Sequence, residues 1–208
     1  MSGYTKVHSE IFTVLERCKN LIELTPFKLP SRLFVNLFLE KITPNIRKLN
    51  LSFTEDVTDD AIEILVKKCK KLTALNLRLT SITETSLDLI ISYCTELEAL
   101  DVTQNGLFEK LFKLAKMPKL RTLAVESQFG GVTQEDVEKL KEQIPQLTNI
   151  IQYPFENIWN SLKIGYSSNE SCPGEGFWEI VQEDHPYFKQ HYIGNKGCQC
   201  HMSGAIHL

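Results

Sequence analysis

The side chains with the most obvious chemical potential stand near the C-terminus, where Cys198-Gln-Cys200-His201 lies close to Cys172, His185, His191 and His207. Thiolates and imidazoles are the usual zinc ligands, but a zinc site normally shows one ligand pair with a short spacer and a second pair further along. Here a single cramped C-x-C-H has no such second pair. A metal-binding tail is therefore the minor alternative, and no metal ligands are assigned. The leucine-rich stretches hold no His–carboxylate couple, no Ser or Cys beside a base and no glycine-rich phosphate loop. A non-enzymatic function without catalytic residues or cofactor is the expectation.

Charge narrows the partners. The 208 residues carry 23 Lys and Arg against 26 Asp and Glu, a net charge of −3, which argues against non-specific binding to nucleic acid or anionic membranes. The basic residues at Lys67-Lys68-Cys69-Lys70-Lys71 and at Lys110, Lys113, Lys116 and Lys119 interleave with apolar positions, the pattern of a solvated helix face. No apolar run approaches the roughly 20 residues of a membrane helix. Lys6, Glu10, Glu16 and Arg17 interrupt the N-terminus, so an export signal is not expected and the chain reads as intracellular, cytoplasmic or nuclear.

The elements that position these side chains come from a repeat. Leu21-Ile-Glu-Leu24, Ile46-Arg-Lys-Leu49-Asn-Leu51, Leu72-Thr-Ala-Leu75-Asn-Leu77, Leu97-Glu-Ala-Leu100-Asp-Val102, Leu120-Arg-Thr-Leu123-Ala-Val125 and Leu147-Thr-Asn-Ile150 align beneath one another. Their first residues lie 25, 26, 25, 23 and 27 positions apart, the period of a solenoid rather than of a compact globule. Between them recur Val57-Thr-Asp-Asp-Ala-Ile62, Ile82-Thr-Glu-Thr-Ser-Leu87 and Val132-Thr-Gln-Glu-Asp-Val137. Each Thr is a good helix N-cap and the acids after it suit the positive end of the helix dipole, so each phrase opens a helix. Ile62, Leu65 and Cys69 then share offsets with Leu87, Ile90 and Cys94, with Ile11, Val14 and Cys18, and with Val137, Leu140 and Ile144. A slot that takes Ile144, and Met117 in the short fourth repeat, calls for a medium apolar body, so these cysteines are expected to be reduced core residues.

A Thr-capped helix, a Cys at its end and a Leu-rich strand together resemble the cysteine-containing leucine-rich repeats. These are found in the F-box and leucine-rich repeat proteins of SCF ubiquitin ligases and in the F-box-free antagonist of the mitotic exit network. The resemblance implies an α/β fold, a right-handed leucine-rich repeat solenoid of about six repeats over residues 1–153. Its parallel sheet would be concave and its helices convex. It further implies a protein-interaction module for substrate recognition in an SCF-type ubiquitin-ligase pathway, with the SCF adaptor and cullin as further partners. The alternative is an F-box-free scaffold or regulator unconnected with ubiquitination. Leu29-Pro30-Ser-Arg-Leu33 looks superficially like the opening of an F-box. Yet Val35, Phe38 and Ile42 repeat the helix offsets and a strand phrase starts soon afterwards, so an ordinary repeat helix with Pro30 in its first turn is the better reading.

Within L-x-x-L-x-L the leucines point to the core, so the third, fifth and seventh positions face outward on the concave sheet. The expected protein-binding stripe is Lys48, Asn50, Ser52, Asn76, Arg78, Asp101, Thr103 and Glu126, solvent-exposed and polar. After Tyr153 the leucine phrase stops. Residues 154–208 hold six of the ten glycines and eight of the nineteen aromatics, which marks them as a separate C-terminal cap and tail. A flexible or loosely docked tail is the first expectation; the alternative implied by the resemblance, in which C-terminal tails of some such proteins fold back, lays Phe177, Trp178, Tyr187, Phe188 and Tyr192 along the concave face.

Overall fold

Each leucine phrase forms a short strand in the computed structural model, which describes residues 11–12, 15–26, 29, 31–126 and 132–153. The strands are β1 (Glu23–Leu24), β2 (Lys48–Asn50), β3 (Ala74–Asn76), β4 (Ala99–Asp101), β5 (Thr122–Glu126) and β6 (Asn149–Tyr153). Chain neighbours are sheet neighbours, and every pairing is parallel. The register places Leu24, Leu49, Leu75, Leu100, Leu123 and Ile150 in one lateral row. The repeat alignment is thus the strand register, as a periodic stack requires.

Parallel neighbours need a crossover, and the segments between strands supply it. These are α1 (Arg32–Lys41), α2 (Asp59–Lys68), α3 (Glu84–Tyr93), a 3-10 helix (Phe108–Lys116) and α4 (Gln134–Gln143). The predicted inward offsets hold: Val35, Phe38, Ile62, Leu65, Leu87, Ile90 and Leu140 are buried and join the strand leucines in one core. Ile42, Cys69, Cys94, Met117 and Ile144, the residues of the shared slot, are all helix C-caps. The fourth repeat, shortest by sequence, uses the steeper 3-10 rise to cover its convex span, and Met117 N–H bonds Leu114 O three residues back.

Helix starts match the sequence in all three cases, with Thr58, Thr83 and Thr133 at the N-cap positions, and two of the three also cap with the side chain. Thr83 accepts from the Thr85 N–H, and Thr133 with Asp136 forms a reciprocal capping box. Thr58 caps nothing with its side chain; its segment bridges Ser81 instead, and its buried Oγ1 has no partner among the described residues. α1 also departs from expectation. Ser31 is its N-cap, accepting from Phe34 N–H, so the helix begins at Arg32 and Pro30 is not in the first turn. The hydroxyl of Ser31 supplies the acceptor that a proline cannot. From Ile42 the chain runs directly to β2, as in any other repeat.

Two devices close the turns after the strands. Phe53, Leu79 and Gln104 occupy one position in three repeats, and all have positive φ of 60°, 50° and 62°, which re-aims the chain toward the next helix. In the following position Asn105 donates through Nδ2 to Leu77 O at 2.8 Å and Val102 O at 3.1 Å, while its Oδ1 accepts from Thr80 N–H at 3.1 Å. One side chain thereby ties two repeats together.

Asp59 does the same on the convex side. Its carboxylate accepts from Thr83 N–H at 2.9 Å, from Thr83 Oγ1 at 2.6 Å and from Ser86 Oγ, joining α2 to α3. Burial alone would raise its pKa, but the hydrogen bonds from Ser86 and Thr83 outweigh it and hold the carboxyl below its ordinary value. A depressed folded-state pKa contributes stability above the unfolded value of about 3.9, and that stability is lost as pH falls through the folded pKa. Asp59→Asn is therefore expected to flatten the acid limb of a melting-temperature profile between about pH 5 and 2. An unchanged profile would contradict the role given to Asp59.

Candidate functional site

The outward positions of β2, β3 and β4 bring the predicted residues together in two rows. Lys48, Ala74, Ala99 and Thr122 share one lateral line, and Asn50, Asn76, Asp101 and Ala124 share the next. Ser52, Arg78 and Thr103 follow two residues along the chain from the second row. The backbone of Glu126 ends β5 in register with Tyr153.

The fifth-position side chains serve the turn before they serve any ligand. Asn50 Oδ1 accepts from Ser52 N–H, Asn76 Oδ1 from Arg78 N–H and Asp101 Oδ1 from Thr103 N–H, each at 3.0 Å. Thr103 Oγ1 also donates to Asp101 Oδ1 at 2.8 Å. These Asx-type bonds hold the Asn50, Asn76 and Asp101 side chains against the turn. The short polar residue two positions before the turn, repeated in three phrases, was the sequence signal for this. Asn105 had a signal too, since Leu97 to Asn105 reads L-x-x-L-x-V-x-x-N, a leucine-rich repeat phrase with a valine at its third apolar position.

The stripe is contiguous, but it is not exposed, and this corrects the expectation for Lys48, Asn50, Asn76, Arg78, Asp101 and Thr103. Asn76, Arg78 and Asp101 have relative exposures of 0%, Thr103 of 2%, Lys48 of 8% and Asn50 of 9%. Ser52 is half-buried. The small floor of the face is enclosed as well, with Ala74, Ala99, Thr122 and Ala124 all buried. Enclosure fades toward the edges, where Thr25 is exposed and Asn149 and Ile151 are half-buried.

Strand neighbours cannot account for this. Arg78 is the largest of the fully buried side chains, yet it stands between Ser52 and Thr103, which are too short to cover a guanidinium projecting from a sheet. The Phe53 ring, 5.6 Å from the Arg78 guanidinium carbon, shields one side of it. Lys48 is bound to Glu23, Nζ to Oε2 at 3.1 Å, and burial lowers its pKa against the opposing effect of that carboxylate. A charged side chain removed from water needs compensation by partners, so an enclosed Arg78 marks a covered face rather than a solvated one.

Nucleophilic chemistry has little support among the described residues. Cys18, Cys69 and Cys94 are buried thiols; burial pushes Cys69 up to about 11, and burial, with the nearby Cys69, pushes Cys94 up to about 12. A thiol protonated at neutral pH is a poor nucleophile and metal ligand. Among the described residues no cluster of His, Cys, Asp and Glu could hold a metal. The recess between Val102, Leu107, Phe108, Leu111 and Val125 measures only about 10 Å³. The Cys198-Gln-Cys200-His201 group and all five histidines lie outside the described residues.

The two repeat cysteines differ in one respect. Cys69 Sγ donates to Thr43 O at 3.6 Å, whereas the buried Cys94 thiol has no such acceptor among the described residues. A serine at 69 inherits an acceptor; at 94 its hydroxyl is buried without one. Cys94→Ser is expected to cost about 1–3 kcal/mol and Cys69→Ser less, measured by chemical denaturation. The reverse order would contradict this packing.

No protein-family model matches this chain, and no curated protein does. Among solved structures, the tropomodulin C-terminal domain of Caenorhabditis elegans is similar with a TM-score of 0.51 at 13% identity, over 67% of this chain and 92% of that one. The leucine-rich repeat-containing protein LegL7 from Legionella pneumophila gives a TM-score of 0.47 at 18% identity, over 86% of this chain; the chain spans 59% of that structure's length. At these identities the likeness concerns the fold alone. With its repeated leucine phrase, its six-stranded parallel sheet in a single register and its helical crossovers, the chain is a leucine-rich repeat solenoid.

Proposed function

We propose that this chain is a non-enzymatic protein-interaction module whose concave face holds an extended polypeptide. The observation that carries this reading is the contiguous polar row of Asn50, Asn76 and Asp101, in one register across the concave strands. A polypeptide suits such a row, since carbonyls and N–H groups along its backbone match amide and carboxylate side chains. Its backbone can also lie across the floor of alanines. Lys48, Asn50, Ser52, Asn76, Arg78, Asp101, Thr103 and Glu126 are the proposed contacts.

The finer reading is substrate recognition in an SCF-type ubiquitin-ligase pathway, and the repeat resemblance is its support. The direct passage from α1 to β2 favours the alternative, an F-box-free scaffold or regulator. Affinity isolation with the full chain and with an Arg78→Met, Asp101→Asn variant separates these. A partner captured by the native chain and lost by the variant supports the groove. Adaptor and cullin among the captured proteins support the ligase reading, and their absence supports the scaffold. Capture that is identical with both baits would overturn the concave assignment.

A further inference from the structure

We propose that the edge where the chain enters the strands of the first three repeats is a second docking surface, one that takes a short carboxylate-rich segment of a protein partner. This edge lies apart from the concave polar row and does not depend on what occupies that row.

A backbone ladder builds the edge. Each helix end turns back toward its strand through the same bond: Leu21 N–H to Cys18 O at 3.2 Å, Leu72 N–H to Cys69 O at 3.3 Å and Leu97 N–H to Cys94 O at 3.1 Å. Successive turns are then tied laterally. Arg47 N–H donates to Ile22 O at 2.8 Å, Thr73 N–H donates to Arg47 O at 2.7 Å, and Thr43 Oγ1 donates to Lys19 O at 2.8 Å. The turns 18–22, 42–47 and 69–73 therefore stand side by side, in the order of the strands that they feed.

Charge along this edge is uneven. The first three turns hold Lys19, Arg47, Lys70 and Lys71 and no acid. All four are exposed, and among the described residues none of their side chains is ion-paired or hydrogen-bonded. The next two turns differ, because Lys119 is bound to Glu96 at 2.6 Å and Arg121 donates to the carbonyls of Pro118 and Gln146. Lys41 and Lys68, in the last turns of α1 and α2, are likewise used within the fold, by the Glu16 carboxylate and by the Glu40 carbonyl. The fold thus compensates its cations in the fourth and fifth turns and leaves four of one sign open in the first three.

The boundaries of the patch select its occupant. Three strands at the usual spacing span about 10 Å, the length of three or four extended residues. Two ammonium and guanidinium types on long stems suit carboxylates carried on such a stretch. A nucleic-acid strand or a membrane surface would continue past the third repeat, where Glu96 and Glu98 repel it. The three turns also hold no aromatic side chain on which a base could stack. A short acidic peptide meets the four cations and stops before the two acids.

Anisotropy of a fluorescently labelled peptide of four glutamates flanked by Gly-Ser, titrated with the full chain at low salt, provides the test. The native chain is expected to bind it. Arg47→Gln together with Lys71→Gln is expected to weaken binding at least about fivefold, since two exposed charge pairs are lost. Lys116→Gln together with Lys141→Gln removes the same charge from two other exposed cations that have no partner among the described residues, and is expected to weaken binding less than about twofold. All four positions are exposed, so both variants should melt with the native chain. Absence of binding to the native chain, or equal weakening in both variants, would overturn the proposal. Tighter binding of labelled hexathymidine than of the glutamate peptide would also overturn it, in favour of a nucleic-acid surface.

Discussion

Leu100→Ala is expected to lower the unfolding free energy by about 2–5 kcal/mol, the range for a leucine truncated in a core that cannot collapse around the cavity. Leu100 has no exposed surface and lies between Leu75 and Leu123 in the lateral row. A repeat in the middle of the array couples to both neighbours, so its weakening divides the solenoid rather than fraying one end. Leu75→Ala is expected to behave alike, and Leu33→Ala, at 80% exposure on α1, to stay within about 0.5 kcal/mol of the native chain. Denaturant titration checks all three. A loss below about 1 kcal/mol at both Leu75 and Leu100 would contradict a continuous core.

Arg78→Glu is expected to produce a loss of comparable size, about 3–5 kcal/mol, because it exchanges a compensated buried charge for an uncompensated one near Asp101. Sequence phase alone places Arg78 outward and predicts a nearly neutral substitution; its 0% exposure reverses that expectation. Arg78→Met, which removes the charge without reversing it and keeps an apolar stem beside Phe53, should cost less than Arg78→Glu. On the convex side Lys67→Glu should cost no more than about 0.5 kcal/mol, as Lys67 is exposed and paired with Glu63 one turn away. Melting temperatures of the three variants rank these effects. If Arg78→Glu melts with Lys67→Glu, the concave face is open.

The parts of the structure legible in the sequence were those that a periodic stack repeats. Leu24, Leu49, Leu75, Leu100, Leu123 and Ile150 fall in register because each phrase must place the same side chain over its neighbour. The Cys69, Cys94 and Ile144 slot was legible for the same reason, one geometry imposing one size. Single departures were not. Thr58 sits in the phrase in which Thr83 and Thr133 cap their helices but makes no side-chain cap, and Ser31 rather than Pro30 opens α1. Both depend on local hydrogen-bond competition that spacing does not record. The enclosure of Asn76, Arg78 and Asp101 was the largest omission. Strand phase determines which face a side chain takes, whereas what lies over that face is a long-range property without a period.

The central claim, that the concave polar row is an enclosed groove, is most directly tested by alkylation of the Thr103→Cys variant of the full chain, read at peptide level by mass spectrometry. Position 103 is 2% exposed, and cysteine is close to threonine in size. Cys69 and Cys94 serve as internal standards for a buried thiol. An enclosed groove predicts that the thiol introduced at position 103 reacts at least about 100-fold more slowly in the folded chain than in the urea-unfolded chain, as protection by a closed structure requires. Reaction at position 103 at the unfolded rate, while Cys69 and Cys94 stay protected, would show an open concave face and contradict the claim.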